Sequence, residues 1–545
     1  MRRGSRGQDR IDMMAATVDE VFRERVRRTP DAPIADCGSG PVTFAEIDRR
    51  TDRLAAGLAA LGVRPGDRIA LIVPNRPEMI ELLIATAKLG AVQVPLNYWL
   101  RGEFLRYQLA DCGARILVAD ELGYASAAPL LGETGIEQVV LLDTPATGTV
   151  SYAAVLAAGD AEWTPRQANP SDLLAILYTS GTTALPKGCM LSTGYYVTVG
   201  RSYGERGWVR PGDRVYTAFP LFHSSGQMVA FMSALVNDAD IVVAPEFHAA
   251  TFMADARAAG ATMLVGVGVM AQAILEQPPH PDDATSRFRL ASWVPLPEDR
   301  QAEFERRFAT PVMSEGYGQT ECVPISASAV DGARVRASAG LTAPAVDVRV
   351  VDENDEILPA GRSGEIVVRP RIPNATFQGY WNKPAETVSA WQSLWHHTGD
   401  FGYLDVGGYL HFVDRKKDVL RRRGENVSSL QLEQVIRAHP AVADVAVCAV
   451  PAPLGDDDIK ACVVLHPDQA LTAADLFDFL RDRVPYFAIP RYLDVRAELP
   501  VNALGRVMKH VLRAEGAGPT VADLEAQGLV VPRDERRGPA RDPVA

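Results

Sequence analysis

The stretch Tyr178-Thr-Ser-Gly-Thr-Thr-Ala-Leu-Pro-Lys-Gly188 joins an apolar run at 173–177 to a short polar loop. The loop contains two glycines, four Ser or Thr hydroxyls and one lysine. Small residues let backbone N–H groups approach a phosphate closely, hydroxyls donate further hydrogen bonds, and Lys187 supplies positive charge. The spacing is not that of a P-loop, and composition alone fits a surface loop equally well. The pattern therefore predicts a strand followed by a phosphate-binding loop, with a plain surface loop as the alternative.

Apolar, β-branched runs alternate with helical patterns on both sides of this loop. The run at 68–73 is followed by a helical pattern at 78–89 and a second run at 91–95. This rhythm predicts an α/β sandwich with largely parallel sheets. From about Gly340 the pattern changes, because 346–352 mostly alternates apolar with charged residues, as a half-solvated antiparallel strand does. A smaller β subdomain is expected there.

The chain is too long for a single core, and a charged stretch marks the main boundary. We expect an α/β fold with a large N-terminal domain of two α/β sheet subdomains plus a β subdomain, and a small α+β C-terminal domain. The predicted segments are a tail at 1–17, the N-terminal domain at 18–413, a hinge at 414–418, the C-terminal domain at 419–515 and a tail at 516–545. The last tail is rich in Pro, Gly, Arg and Asp and is expected to pack poorly.

Composition and charge exclude several classes of protein. A formal charge of −12 argues against a nucleic-acid partner, because polyphosphates favour a basic surface. No apolar run approaches the ~20 residues of a membrane span, and no apolar segment of a signal peptide follows the basic start. Six well-separated cysteines fit neither a disulfide framework nor a zinc site. The expectation is a cytoplasmic protein with reduced thiols.

Several further motifs occur in a fixed order between about residue 18 and residue 515. They are Pro220-Leu-Phe-His223, Gly316-Tyr-Gly-Gln-Thr-Glu321, Gly379-Tyr-Trp-Asn-Lys-Pro384, His397-Thr-Gly-Asp400, and Asp414-Arg-Lys-Lys-Asp418 with Gly424-Glu-Asn426. Together with the loop at 178–188 they resemble the adenylate-forming superfamily of acyl-CoA synthetases, peptide-synthetase adenylation domains and firefly luciferases. The overall resemblance is nearest to the stand-alone medium-chain and carnitine-type CoA ligases.

The resemblance implies an ATP site with a role for each motif. Tyr317 is expected to stack on adenine beside Gly318, because an aromatic face provides contact area. Glu321 is expected to bind Mg²⁺, a hard cation that prefers carboxylate oxygen. The other implied contacts are Thr320 to the α-phosphate, Asp400 to the ribose with Arg415 nearby, and the phosphate loop residues Thr179, Ser180, Gly181, Thr182, Thr183 and Lys187. Taken singly, such residues are more often core tyrosines or surface charges.

The resemblance also implies a mobile C-terminal domain, a substrate pocket and two half-reactions. Lys417 would be the hinge residue about which the domain rotates. The expected pocket residues are His223, Ser225, Gly226, Val267, Gly268, Trp293 and Gly316, although His223 alone would also fit a core histidine. A carboxylate would attack the α-phosphate of Mg·ATP and release pyrophosphate, and a nucleophile, usually coenzyme A, would then release AMP. A homodimer is the default assembly.

Three departures from the family pattern leave the acceptor open. Ala184 stands where the loop usually has glycine, and Trp293, where relatives have a small residue, either narrows the pocket or fills the core. Arg506 occupies the place of the catalytic lysine, and a guanidinium is not equivalent to an ammonium group. We expect either Arg506 or nearby Lys509 to serve as the adenylation cation.

Because of these departures, two other functions stay open. The activated group could be transferred to an amine or a carrier protein, or the activated oxyanion could be nitrite. A binding protein without catalysis is the third class, although the retained Thr182, Lys187, Thr320, Glu321, Asp400 and Arg415 argue against it.

Overall fold

The computed structural model describes residues 16–38, 40–159, 163–179, 185–415, 420–452, 456–500, 507–518 and 521–536. The parts of the phosphate loop, hinge and catalytic segment that fall between these ranges are not described. Within the described ranges, no helix is long and apolar enough to cross a membrane. All six cysteines are buried and free.

The first sheet of the N-terminal domain carries the phosphate loop at its edge. Its strand order is Val150–Ser151, Gln138–Leu141, Ile116–Ala119, Arg68–Ile72, Val92–Pro95, Leu173–Thr179 and Lys187–Ser192. All neighbours are parallel except the last two, in which Thr179 pairs with Lys187. The loop therefore joins two antiparallel strands, so that its ends are held by a sheet ladder.

The second sheet also has seven strands and is parallel except at one edge. Its order is Val312–Met313, Leu290–Trp293, Met263–Gly266, Arg214–Thr217, Asp240–Val243, Pro33–Asp36 and Pro41–Thr43. Strands of both sheets contribute to one continuous hydrophobic core, which includes Leu71, Leu177, Val215 and Leu264. The predicted α/β architecture with largely parallel sheets is confirmed.

Helices cover the sheets, and their ends follow local sequence signals. Thr17 with Glu20, and Thr43 with Glu46, form capping boxes at two helix starts, where side chains satisfy otherwise unpaired N–H groups. The helices are Val18–Arg28, Phe44–Ala60, Pro77–Leu89, Gly102–Asp111, Glu121–Ala127, Tyr152–Ala158, Thr193–Glu205, Ser225–Met232 (a π-helix), Ser233–Val236, Phe252–Ala258, Gly268–Leu275 and Glu298–Phe308.

A small antiparallel subdomain follows, as the alternating pattern predicted. It contains Val346–Val351, Gly364–Pro370, Trp391–Gln392, Trp395–Leu404 and Leu410–Arg415, with the helix Pro384–Ala390 beside it. The hairpin Gly316–Gln319 and Cys322–Ala327 lies next to this subdomain and carries the motif that ends in Glu321. Motifs that are distant in sequence therefore converge at the junction of three sheets.

The C-terminal domain begins with a hairpin of Leu420–Arg422 and Glu425–Val427. Its main sheet has the order Val442–Pro451, Asp457–Leu465, Tyr492–Arg496 and Ala522–Asp523, with helices Ser429–Arg437, Ala473–Leu480 and Lys509–Ala514. The expectation that the tail packs poorly is wrong for 521–536. Ala522–Asp523 extends the sheet, and Leu524 is fully buried, because this segment keeps enough apolar residues to pack on the core.

Candidate active site

A cleft of about 2040 Å³ lies between the two domains and brings most of the predicted site residues together. Its walls include twelve of them: Thr179, Lys187, His223, Ser225, Val267, Gly268, Gly316, Tyr317, Gly318, Thr320, Glu321 and Asp400. These residues come from both large sheets, the hairpin and the small β subdomain, so only the folded chain assembles the site.

The two ends of the phosphate loop are anchored separately, one by Asp111 and the other by Tyr107 and Tyr380. The Asp111 carboxylate accepts a hydrogen bond from the Tyr178 hydroxyl at 2.7 Å and contacts the Lys383 ammonium at 3.1 Å. Tyr107 donates to the carbonyl of Pro186 at 3.1 Å, and the Lys187 ammonium lies 4.2 Å from the centre of the Tyr380 ring. Ser180, Gly181, Thr182, Thr183 and Ala184 lie outside the described residues, so their phosphate contacts stay predictions.

Glu321 is 8% exposed and accepts a hydrogen bond from the Tyr380 hydroxyl at 2.9 Å. Burial lowers the pKa of nearby His396 to about 4, so that imidazole is neutral at physiological pH and does not neutralise the carboxylate. A carboxylate in this position fits Mg²⁺. In the described ranges no cluster of three or more His, Cys, Asp or Glu could hold a metal alone. A metal at Glu321 would therefore take its other ligands from water and phosphate oxygens.

The predicted adenine and ribose residues are joined by hydrogen bonds. The Tyr317 hydroxyl donates to Asp400 Oδ2 at 2.6 Å, and Gln319 Nε2 donates to the same oxygen at 2.9 Å and to the Thr398 carbonyl at 2.8 Å. Asp400 is only 4% exposed and pairs along its strand with Arg415, whose side chain lies outside the description. Sequence reasoning missed Gln319, since an amide within a known motif carries no signal of its own.

Thr320 and His223 lie on the substrate side of the cleft. The Thr320 hydroxyl is 3.3 Å from the Ser224 hydroxyl, and the Thr320 carbonyl accepts from Tyr195 at 3.3 Å. His223 Nδ1 accepts the Ser225 N–H at 3.1 Å, which assigns the ring proton to Nε2. The ring is exposed to the cleft, and desolvation by the surrounding cleft walls, with the charge of Arg421, lowers the pKa of His223. A neutral imidazole therefore faces the pocket.

Two predicted pocket residues do not line the cleft. Trp293 is fully buried, with ring centroids 5.8 Å from Phe252 and 5.5 Å from Phe304, so it fills the core rather than narrowing the pocket. Gly226 packs on the backbone, because a Cβ there would come within 2.2 Å of the Pro220 carbonyl oxygen. Both predictions of a pocket contact are therefore corrected.

Lys509, one of the two candidate cations, lies away from this wall. Lys509 Nζ is 2.6 Å from Glu433 Oε1 and donates to Ser429 Oγ at 2.9 Å, all within the C-terminal domain. In this orientation Lys509 is therefore paired inside its own domain rather than at the cleft. Arg506 and the hinge residue Lys417 lie outside the described residues, and their roles stay predictions.

The C-terminal hairpin supplies cleft residues that sequence reasoning did not assign. Asn97 Nδ2 of the N-terminal domain donates to Glu425 Oε2 at 3.0 Å, and Arg421 also lines the cleft. Enclosure raises the pKa of Glu425 to about 7, despite the opposing charge of Arg421. The motif at 424–426 was a usable signal for Glu425, whereas nothing in the sequence marks Asn97.

The ends of the loop, the buried Glu321 and the group around Asp400 line one cleft between two domains. The chain belongs to the AMP-binding enzyme family, whose model matches residues 22–381, while the model of the family's C-terminal domain matches residues 431–506. It is thus an ATP-dependent, AMP-forming ligase of the adenylate-forming superfamily, as the motifs predicted.

Named relatives and solved structures agree with this family. The chain is 32% identical to a feruloyl-CoA synthase of Amycolatopsis sp over 495 residues, covering 90% of this chain and 97% of that protein. It is 32% identical to a crotonobetaine/carnitine–CoA ligase of Salmonella typhimurium over 494 residues, covering 86% and 93%.

Three solved structures are similar over almost their whole length. The amide bond synthetase McbA from Marinactinospora thermotolerans has a TM-score of 0.80 at 26% identity, covering 90% of this chain and 99% of that chain. A double mutant of o-succinylbenzoate CoA synthetase from Bacillus subtilis, bound with its product analogue OSB-NCoA, has 0.79 at 26%, covering 92% and 99%. ATP-bound MatB from Rhodopseudomonas palustris has 0.67 at 29%, covering 91% and 98%.

Proposed function

We propose that the chain activates a small organic acid with ATP and transfers the acyl group to the thiol of coenzyme A. In the first step a carboxylate oxygen bonds to the α-phosphorus, and the bond to pyrophosphate breaks, giving acyl-AMP. In the second step the thiol sulfur bonds to the acyl carbon, AMP leaves with the bridging oxygen, and the thiol proton is released. Bound Mg²⁺ would supply charge neutralisation on the phosphates.

The N-terminal wall supports the first step. Asp400, Tyr317 and Gln319 form a hydrogen-bonded group that is set before the nucleotide arrives, so little side-chain ordering remains to be done on binding. Lys187 and Glu321, beside one another at Tyr380, are suited to hold the polyphosphate and its metal ion. Positioning and charge stabilisation of this kind are the main contributions of a protein to phosphoryl chemistry.

The acid pocket supports an apolar substrate of modest size. Gly316 lies against the apolar side chains of Trp208 and Val294, whose atoms would lie 3.4 Å and 3.6 Å from an added Cβ. Val267 and Gly268 line the same cavity, and the neutral His223 adds no charge to it. A carboxylic acid with an apolar body therefore fits, in keeping with the feruloyl group named for one relative.

The orientation of the C-terminal domain is the observation that carries the transfer step. The hairpin that holds Glu425 closes on Asn97, while Lys509 is paired within its own domain. This orientation supports a chain poised for acyl transfer rather than for adenylation.

An amine acceptor is the second candidate, because the amide bond synthetase matches the fold equally well, with a TM-score of 0.80. Transfer to a thiol and transfer to an amine can be distinguished with one purified preparation of the full chain. Pyrophosphate exchange with a panel of acids identifies the activated acid, and mass spectrometry then detects its thioester or its amide. A thioester with coenzyme A supports the proposal. Exchange without thioester, together with amide or nitrite-dependent AMP formation, contradicts it.

A further inference from the structure

The segment 521–536, which we call the strap, crosses from the C-terminal domain back to the N-terminal domain. It starts as the strand Ala522–Asp523 and buries Leu524. Arg533 then donates to the Phe247 carbonyl at 2.7 Å and pairs with Glu246 at 3.2 Å, while Arg101 donates to the Arg536 carbonyl at 2.8 Å. The strap therefore contacts both domains at the edge of the cleft, beyond the part of the chain that the family models match.

The strap places two arginines beside a third at the mouth of the cleft. The Arg536 guanidinium lies 4.5 Å from the centre of the Tyr486 ring, and that of Arg423 lies 5.8 Å from the same ring. Arg423, Tyr486, Arg533 and Arg536 all line the cavity. Trp99 of the N-terminal domain meets the Tyr486 ring edge-on at 5.7 Å, so the mouth is both cationic and aromatic.

Two of the three arginines at this mouth have an acidic partner among the described residues. Glu525 pairs with Arg423 at 2.7 Å, and Glu246 pairs with Arg533. Among the ion pairs of the described residues, none involves Arg536, and its Nε is buried without a hydrogen-bond partner. Burial, followed by the charges of Arg423 and Arg533, lowers the pKa of the Arg536 guanidinium from its very high ordinary value. Among the described residues, Arg536 is thus the one cation of the three without an acidic partner, which suits it to bind an anion.

A guanidinium recognises phosphate through parallel N–H donors, and aromatic faces accept nucleotide bases. We propose that Arg536 and Arg533 of the strap, with Arg423, bind the phosphates of a nucleotide-bearing acceptor thiol and select it over a small thiol or amine. This assignment rests on the proposed thiol transfer but adds the site that recognises the acceptor. A positively charged mouth also disfavours a protonated amine, because like charges repel.

The test compares acceptors in the full-length protein. Coenzyme A, its 3′-dephospho form and pantetheine share the reacting thiol and differ in their phosphates. For Arg536→Ala we expect the ratio of kcat/KM for coenzyme A to that for pantetheine to fall about tenfold, since a charge-assisted phosphate contact is lost. Dephospho-coenzyme A should lie between the two. The matched control is Arg481→Ala, which removes the 2.8 Å pair of the strap with Glu535 away from the cleft and should leave the ratio unchanged.

Binding provides a second readout. Calorimetric titration of the unliganded chain with adenosine 3′,5′-bisphosphate should give a Kd about tenfold higher for Arg536→Ala than for the parent. An equal loss with all three thiols would mean that the strap is structural only, and an unchanged ratio or an unchanged Kd would also overturn the site. If the parent forms no thioester with any thiol, the proposed function fails, while the titration still decides the site.

Discussion

The two walls of the cleft are held in different ways. On the N-terminal wall, Tyr317 and Gln319 both donate hydrogen bonds to Asp400, while Asp111 and Tyr107 each hold one end of the phosphate loop. On the C-terminal wall, the polar contacts across the cleft are few and include Asn97 with Glu425 and Glu246 with Arg533. Exposed or half-exposed pairs of this kind are individually weak. The nucleotide wall is thus fixed in advance, whereas the acceptor wall can form and release.

The largest loss of adenylation activity is expected when the charge of Glu321 on the N-terminal wall is removed. Glu321→Gln keeps the shape of the side chain but removes the carboxylate proposed to bind Mg²⁺, so we expect pyrophosphate exchange to fall about 100-fold, or roughly 2.7 kcal/mol of barrier. Exchange measured over a range of Mg²⁺ concentrations checks this. Glu137→Gln, at the exposed pair with Arg115, is the control and should have no effect. A fall of less than threefold would exclude Glu321 from the metal site.

The second largest effect is expected at Asp400, whose substitution should weaken the binding of ATP rather than the binding of the acid. Asp400→Asn leaves the Tyr317 and Gln319 donors with a weaker partner and removes the acceptor expected for the ribose hydroxyls. We expect the KM for ATP to rise about 20-fold, measured by exchange at saturating acid. Asp405→Asn, in the adjoining turn where Asp405 meets His411, should change that KM less than twofold. Equal effects of the two changes would contradict the ribose assignment.

Closure of the C-terminal wall should depend on pH through Glu425. Its pKa is raised to about 7 in this orientation, so the closed domain binds the proton more tightly than an open one does. The contribution to closure is therefore present at pH values below the ordinary carboxyl range and is lost as the pH rises through about 7. We expect closure, followed by fluorescence transfer between labels on the two domains, to weaken severalfold between pH 5 and pH 8.

Glu425→Gln resembles the protonated carboxyl and can still accept from Asn97, so it should remove this pH dependence. Glu103→Gln, whose partner Arg106 lies within the N-terminal domain, should keep it. A pH dependence that survives in Glu425→Gln would assign the effect to another group.

The smallest expected effect concerns Trp293, which lies behind the fixed wall. Trp293→Phe removes core volume, while it also removes an indole N–H that is buried without a partner. These effects oppose each other, so the loss of stability should stay below about 2 kcal/mol. The KM for the acid should change less than twofold in steady-state assays. A strong change in acid preference with unaltered stability would mean that Trp293 contacts the substrate pocket after all.

More residues of the N-terminal wall than of the C-terminal wall could be predicted from the sequence, and the reason is physical. Lys187, Glu321 and Asp400 sit in ordered motifs next to strands, so the sheet topology determined where they meet. Asn97 and Glu425 are 328 residues apart, and their contact depends on how two domains dock, which local patterns do not encode. The side of its strand on which the Trp293 side chain packs depends on the tertiary structure. The ring lies in the core beside Phe252 and Phe304, which local sequence does not indicate.

The strap was missed for a related reason. The average composition of the tail is polar and rich in Pro and Gly, which predicts poor packing, yet Leu524 and its apolar neighbours suffice to attach it to the core. The proposed role of its arginines depends on their tertiary contacts with Tyr486 and Glu246. No spacing in the sequence indicates these contacts.

The most direct test of the central claim, that an acid oxygen receives AMP in this cleft, is isotope transfer. The activated acid is prepared with ¹⁸O in its carboxylate and incubated with ATP, Mg²⁺ and coenzyme A, and the products are examined by mass spectrometry. The account predicts one ¹⁸O in the AMP released, because the oxygen that attacks the α-phosphorus leaves with it. Unlabelled AMP, or label found in inorganic phosphate instead, would contradict the account.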